Sequence, residues 1–271
     1  MMKPAIFLDH LRDAAKQEQC ELDDVLFFAH ELGYEGAEVT FAPESDPHIL
    51  AAQLKHAGLF ASTLCVRTDF ANHPDDLFLA MTALEHCTVL GAKRFLTIPG
   101  MIDPDDPDHA QQQRENIVQG LLALCALAKE RGITVVMEDF DSAVSPYRDM
   151  NGVRYFVDRV PDLQVAFDTG NFAFCDEDEL EAFELLKDRI AHVHLKDRAL
   201  APGSPDERPL VTLGGRKLYA SPFGSGIIRS EEILRRLREM HYDGVVTVEH
   251  YGAPNQKEYM KKSMQWLSTR L

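Results

Sequence analysis

No stretch of this chain approaches the roughly 20 consecutive apolar residues that a bilayer span requires. The opening MMKPAIFLDH meets an acidic residue too early for a secretory leader. Cysteine is scarce as well. Cys20, Cys65, Cys87, Cys125 and Cys175 are odd in number, scattered and never arranged as CxxC, so neither a disulfide framework nor a thiolate metal cluster is expected. Together these absences predict a cytoplasmic protein with reduced thiols and no membrane partner. Positive charge is also short: 28 Lys and Arg against 44 Asp and Glu leave a formal net charge of −16, and no basic run concentrates the cations. Such a charge repels a phosphate backbone, so nucleic acid is not an expected partner. No linker-like segment divides the chain.

What is present is ordinary globular material, 45% hydrophobic and 27% charged over 271 residues. That length fits two small domains or one α/β barrel of about 250 residues. The length alone does not decide. β-branched, apolar segments fall at 4–8, 36–41, 59–66, 93–98, 133–139, 163–171, 190–197 and 244–252. Helical patterns fall between them at 21–32, 46–57, 75–90, 109–131, 147–159, 177–187, 230–240 and 255–270. In 109–131, Ile117, Leu121, Leu124 and Ala128 recur at helical spacing and Gly132 marks a stop. Strict strand–helix alternation implies a parallel sheet with crossover helices. Such a sheet is either a barrel or doubly wound, and strand parity favours a single (β/α)8 barrel over 1–271. Its one long irregular stretch, 198–223, is rich in proline and glycine and follows the seventh strand, where it is expected over the active-site mouth.

Four of the predicted strands end in a metal-ligand residue: Glu138 in ITVVMED, Asp168 in LQVAFDTGN, His194 in IAHVHLKD and Glu249 in GVVTVEHYG. Three hard oxygen donors and one imidazole suit one divalent cation, with Mn²⁺, Mg²⁺ or Co²⁺ ahead of Zn²⁺. Strand parity supports convergence. His192 and His194 share a face opposite Ala191, Val193 and Leu195; Glu138 aligns with Val136, and Glu249 with Thr247. All four ligand candidates can meet at the carboxyl end of the barrel, where barrel enzymes keep their active sites.

The VVMED, FDTGN and HVHLKD segments, with the closing FGSGII…LRRLREMHYDGVVTVEHYG, resemble the sugar phosphate isomerase/epimerase superfamily. Its relatives include xylose isomerase-like barrels, ketose 3-epimerases and, more distantly, the AP endonucleases of family 2. The resemblance is most specific over about 132–252 and generic before that. It implies a xylose isomerase-like TIM barrel in which Glu138, Asp168, His194 and Glu249 hold one metal and the two glutamates double as the acid/base pair. Many relatives carry DT-x-H where this chain has Asp168-Thr169-Gly170-Asn171. The trinuclear zinc nucleases need further histidines near strand ends that here read Leu64-Cys65-Val66-Arg67 and Thr97-Ile98-Pro99-Gly100.

The expected activity is a metal-dependent isomerase or epimerase of a small sugar, keto-polyol or sugar phosphate. Lewis-acid polarisation of the carbonyl favours an enediolate, with Glu138 and Glu249 moving the proton. A dehydratase that keeps the enediolate and expels a β-hydroxyl is the alternative; an abasic-site nuclease and a sugar-binding barrel without catalysis rank lower. The expected partner is a small carbohydrate. Homodimers or homotetramers are common in that superfamily, and 198–223 offers either a lid or a contact. Substrate-contacting candidates are Glu38, Arg67, Asn171, His192 and Lys196; the competing roles are a buried structural carboxylate for Glu38, a ligand-orienting or satisfied interior histidine for His192, surface solvation for Arg67 and an ion pair to Asp197 for Lys196. Asn171 is read as a hydrogen bonder standing in for the absent histidine. Arg208, Arg216 and Lys217 are further anion-binding candidates whose default is solvation. The Gly224-Ser225-Gly226 turn lies where barrels cradle phosphate, with a structural turn as its plainer reading. His10 and the other scattered histidines have no ligand spacing.

Overall fold

The computed structural model describes residues 2–271. The barrel strands are β1 (Lys3–Phe7), β2 (Gly36–Thr40), β3 (Phe60–Arg67), β4 (Arg94–Ile98), β5 (Thr134–Met137), β6 (Gln164–Asp168), β7 (Ile190–Ala199) and, after the two-stranded insertion of β8 (Leu210–Val211) and β9 (Lys217–Ser221), β10 (Val245–Glu249). Neighbours pair in parallel from β1 through β7, and β10 bonds to both β1 and β7, so the sheet closes on itself. The helices are α1 (Leu8–Glu18), α2 (Leu22–Leu32), α3 (Pro47–His56), α4 (Asp76–Leu90), α5 (Pro107–Lys129), α6 (Met150–Arg159), α7 (Glu179–Leu186), α8 (Ser230–Glu239) and α9 (Gln256–Leu267).

Local chemistry accounts for the boundaries. Asp46 accepts from His48 N–H ahead of Pro47, and Asp106 accepts from His109 N–H ahead of Pro107, so α3 and α5 start on an acidic cap with proline in the first turn. Asp178 and Asn255 cap α7 and α9 with side-chain oxygens that accept first-turn N–H groups, without a proline. Gly33 at φ 104° closes α2 in the left-handed region, which costs glycine nothing. Alternate strand residues then sort by face: Val39, Leu64, Phe95, Val193, Leu195, Val246 and Val248 join the apolar core, while Glu38, Thr63, His192, His194 and Thr247 form a buried polar set.

Two elements differ from the sequence expectation. Helix α1 follows β1 without a connecting residue, and its cap residue Phe7 offers no side-chain hydrogen bond. No start signal marks the change of period, and Leu8 reads as the last residue of the strand. The 198–223 stretch is not wholly irregular: β7 runs on to Ala199, β9 pairs antiparallel with Asp197–Ala199, and β8 pairs with β9 around a turn at 212–216. Flanking prolines hide both short strands. The hairpin lies beside the barrel mouth, with Leu213 N–H donating to Phe174 O and Thr212 Oγ1 to Asp176, so it leans on the short 3₁₀ turn after β6. Among the described residues no helix is long and apolar enough to cross a membrane.

Candidate active site

Parallel register brings the four predicted ligands together. Asp168 sits opposite His194 across β6 and β7, and Glu249 sits opposite Lys196 across β7 and β10. Glu138 follows the end of β5, the next strand round. Donor atoms of Glu138, Asp168, His194 and Glu249 all lie within 4.8 Å of one another, and all four residues are buried. Three carboxylates surround one imidazole nitrogen. His194 Nδ1 is 2.8 Å from Glu138 Oε2, 3.3 Å from Glu249 Oε2 and 3.9 Å from Asp168 Oδ2.

The second nitrogen of that ring is fixed from behind. Glu38 reaches from β2, with Oε1 3.1 Å from His194 Nε2 and Oε2 2.8 Å from His192 Nε2. Thr63 and Thr247 hydroxyls stand 3.3 Å from His192 Nε2 on either side. Burial opposes the charge on Glu38, but the two imidazoles outweigh it and hold the carboxyl well below its ordinary range. Burial keeps His192 neutral, with its pKa down at about 4. Glu38 therefore takes N–H bonds from both rings, and in neutral His194 the Nδ1 lone pair faces the three carboxylates. Burial also disfavours charge on His194, yet Glu38 and Glu138 raise its pKa well above the ordinary value, so this spot attracts a positive species. Glu38 and His192 were each read either as a substrate contact or as a buried residue, Glu38 as a structural carboxylate and His192 as a histidine that orients a ligand or is satisfied in the interior. Both have no accessible surface, which favours the buried reading and sets them beneath the four candidate ligands.

Asp168 is held by its other oxygen: Oδ1 accepts from the backbone N–H groups of Gly170 and Asn171 at 2.7 and 2.9 Å. Oδ2 is 3.1 Å from Lys196 Nζ but accepts no hydrogen bond, a buried lone pair turned toward the cluster. Lys196 is nearly buried, 2.5 Å from Glu249 Oε1 and 2.6 Å from Asn171 Oδ1. Burial lowers its basicity, but Asp168 and Glu249 more than offset this and keep it an ammonium. It does not pair with Asp197, whose carboxylate instead accepts backbone N–H bonds from Arg198, Gly224, Gly226 and Ile228. The glycine turn is thus occupied by the chain's own carboxylate. Burial pushes the Glu249 carboxyl up to about 8 against the pull of Lys196.

Above the cluster opens a cavity of about 400 Å³ lined by Glu138, Asn171, Lys196, Arg198 and Glu249 on one arc and by Asp9, Thr40, Cys65 and Arg67 on the other, with Phe7, Ile98, Phe140 and Tyr251 as apolar wall. That size suits a small metabolite. Arg67, Asn171 and Lys196 all line this cavity. Arg198 was not anticipated: it is nearly buried and donates to Asp141 at 2.9 Å and to Asn171 at 3.3 Å. Its signal was the parity of His192, His194, Lys196 and Arg198 along one strand, which the placement of the strand end at 197 cut short. Of the other sequence candidates, Arg216 pairs with Asp176 at 3.0 Å, and neither it, Arg208 nor Lys217 lines this cavity.

A divalent cation fits these residues. Hard oxygen donors, one imidazole whose Nδ1 faces them, a carboxylate behind that imidazole, and a buried Asp168 oxygen that accepts no hydrogen bond are features of a mononuclear site. The other acid–histidine group, Glu38, His192 and His194, has its Nε2 atoms committed to internal hydrogen bonds and serves as the support.

The fold and this ligand set define a class of protein. The xylose isomerase-like TIM barrel family matches residues 26–270, and the chain belongs to that family. Among curated proteins it is 28% identical to an inosose dehydratase of Mesomycoplasma hyopneumoniae over 256 residues, covering 88% of this chain and 84% of that protein. Among solved structures it superposes on the D-allulose 3-epimerase of Methylomonas sp. with a TM-score of 0.77 at 15% identity, over 100% of this chain and 98% of the other. A probable 3-DHS dehydratase of Bacillus anthracis gives 0.75 at 18% identity over 100% of both chains. At those identities the structural likeness speaks for the fold.

Proposed function

We propose that this protein is a divalent-metal-dependent enzyme acting on a polyhydroxy ketone, removing a proton beside the carbonyl and then expelling a β-hydroxyl as water. The observation that carries the elimination over simple proton exchange is the asymmetry of the two glutamates. Glu249 Oε1 is bound to the Lys196 ammonium at 2.5 Å, whereas Glu138 has no ammonium partner and touches His194. The inosose dehydratase at 28% identity over 88% of the chain supports the same choice.

Glu138, Asp168, His194 and Glu249 are the proposed holders of the cation, with Mn²⁺, Mg²⁺ or Co²⁺ preferred by the oxygen-rich set. What it supplies when bound is Lewis acidity toward the ketone and neighbouring hydroxyl oxygens. Glu138, at the cavity wall, accepts the proton from the carbon beside the carbonyl. Lys196, held in its charged form, donates a proton to the departing hydroxyl so that it leaves as water. Asn171, bonded to Lys196 Nζ, aims the ammonium, and Arg198 steadies Asn171. The proton on Glu138 returns through solvent to Lys196, closing the cycle.

Epimerisation or isomerisation is the second reading, supported by the presence of both glutamates on one cavity wall. In that case Glu138 and Glu249 exchange the proton and no water is lost. Incubating Mn²⁺-loaded protein with ring and open-chain ketoses and recording ultraviolet spectra separates the two. Dehydration produces an absorbing enone, and Glu138→Gln is expected to lower its rate by about 10²- to 10⁴-fold. A stereoisomeric product with no absorbance overturns the elimination.

A further inference from the structure

We infer that the substrate carries a carboxylate and that Arg67 is the residue that reads it; this rests on the keto-polyol reading above and narrows it to a hydroxy-keto acid. Three cations line the cavity, and two are already neutralised: Lys196 by Asp168 and Glu249, and Arg198 by Asp141. Arg67 stands at the end of β3, exposed at the cavity rim, with no carboxylate within 4.0 Å and no side-chain hydrogen bond among the described residues, although the chain as a whole carries sixteen excess negative charges. Its guanidinium lies 5.2 Å from the centre of the Phe140 ring. Stacking on an aromatic wall holds the fork in one place while leaving its donors free.

The geometry favours a carboxylate over a phosphate. A planar fork matches a planar carboxylate in a two-point contact. The helix-terminal turn that serves phosphates in barrels is closed here, because the amides of Gly224 and Gly226 are bonded to Asp197 at 3.0 and 2.9 Å. Arg67 lies on the cavity arc opposite Lys196 and Asn171, so a ligand bridging both arcs presents its acid to Arg67 and its reacting carbons to Glu138.

The test uses two probes alike in ring and hydroxyls, quinate and its neutral amide, titrated calorimetrically into Mn²⁺-loaded wild type, Arg67→Gln and Arg67→Lys. A charge-assisted contact of this kind predicts roughly a tenfold to hundredfold preference for quinate in the wild type. The preference falls to near unity in Arg67→Gln and is partly restored in Arg67→Lys. Equal binding of the two probes, no binding of either, or a preference that survives Arg67→Gln overturns the inference. Titration of the same wild-type protein with Mn²⁺ alone keeps the two readings apart. An Arg67-dependent preference without Mn²⁺ binding refutes the metal mechanism and leaves the subsite standing, whereas Mn²⁺ binding without the preference does the reverse.

Discussion

Replacing Glu38 by Gln alters neither a proposed ligand nor the cavity wall, yet it is expected to weaken metal binding. Glu38 accepts from His192 and His194 at 2.8 and 3.1 Å, and its acceptance at His194 Nε2 keeps the ring proton off Nδ1. A glutamine keeps the volume and one acceptor oxygen but turns an NH₂ against one of the two imidazole N–H groups. The His194 proton is then driven to Nδ1, which faces Glu138 at 2.8 Å and is the lone pair a cation needs. Losing the carboxylate behind a ligating histidine typically costs about 10- to 100-fold in metal affinity, which is about 1.4 to 2.7 kcal/mol. Calorimetric Mn²⁺ titration of wild type, Glu38→Gln and Glu38→Asp reads this directly, with near-UV circular dichroism confirming that each variant is folded. Glu38→Asp, which keeps the charge, should recover part of the loss. A folded Glu38→Gln with unchanged Mn²⁺ affinity would refute the argument.

Two further outcomes follow from packing and from protonation. Gly120 lies inside α5, where alanine ordinarily gains about 1 kcal/mol, but a Cβ there would fall on the fully buried Phe70 ring. Overpacking costs about 1 to 3 kcal/mol, so Gly120→Ala is expected to lower stability in urea by up to about 2 kcal/mol, and a higher midpoint would sink the reasoning. His192 and His250 are both held by burial at a pKa of about 4, against about 6.5 in the unfolded chain. The unfolded state binds more protons in that window, so metal-free protein loses stability as pH falls from about 6.5 to about 4, by up to about 3 kcal/mol per imidazole. His194, whose folded pKa is raised, acts above pH 6.5, but Glu249, pushed up to about 8, holds its proton in the folded state across this window and works in the opposite direction. Urea unfolding of wild type and His250→Gln at pH 7, 5.5 and 4.5 isolates one imidazole, and a wild-type profile that loses no more stability than the variant's contradicts it.

The eight barrel strands were legible because each is a short β-branched run bounded by turns, and parallel pairing then follows from the alternation with helices. The ligand set was legible for a related reason: Glu138, Asp168, His194 and Glu249 fall at strand ends, and closure of the barrel carries strand ends to one rim. What escaped was decided by contacts distant in sequence. Glu38 shows the expected parity, but only the barrel's diameter reveals that it spans to His192 and His194, more than 150 residues away. Likewise the partners of Lys196 come from β6 and β10, while its neighbour Asp197 is claimed by amides near Gly224. Helix α1 lacked a punctuating residue, and the hairpin strands were too short to show a period.

The division of the cavity wall into two arcs has a bearing on inheritance. The groups that move protons and hold the cation in the proposed mechanism come from β5, β6, β7 and β10, which is also the half of the chain where the family resemblance is most specific. The opposite arc, from β1 to β4, contributes Asp9, Thr40, Cys65 and Arg67. None of these is tied into the Glu138–His194 cluster by a hydrogen bond. A lineage can therefore rewrite the first half of the barrel to admit a new molecule while the second half goes on performing the same reaction.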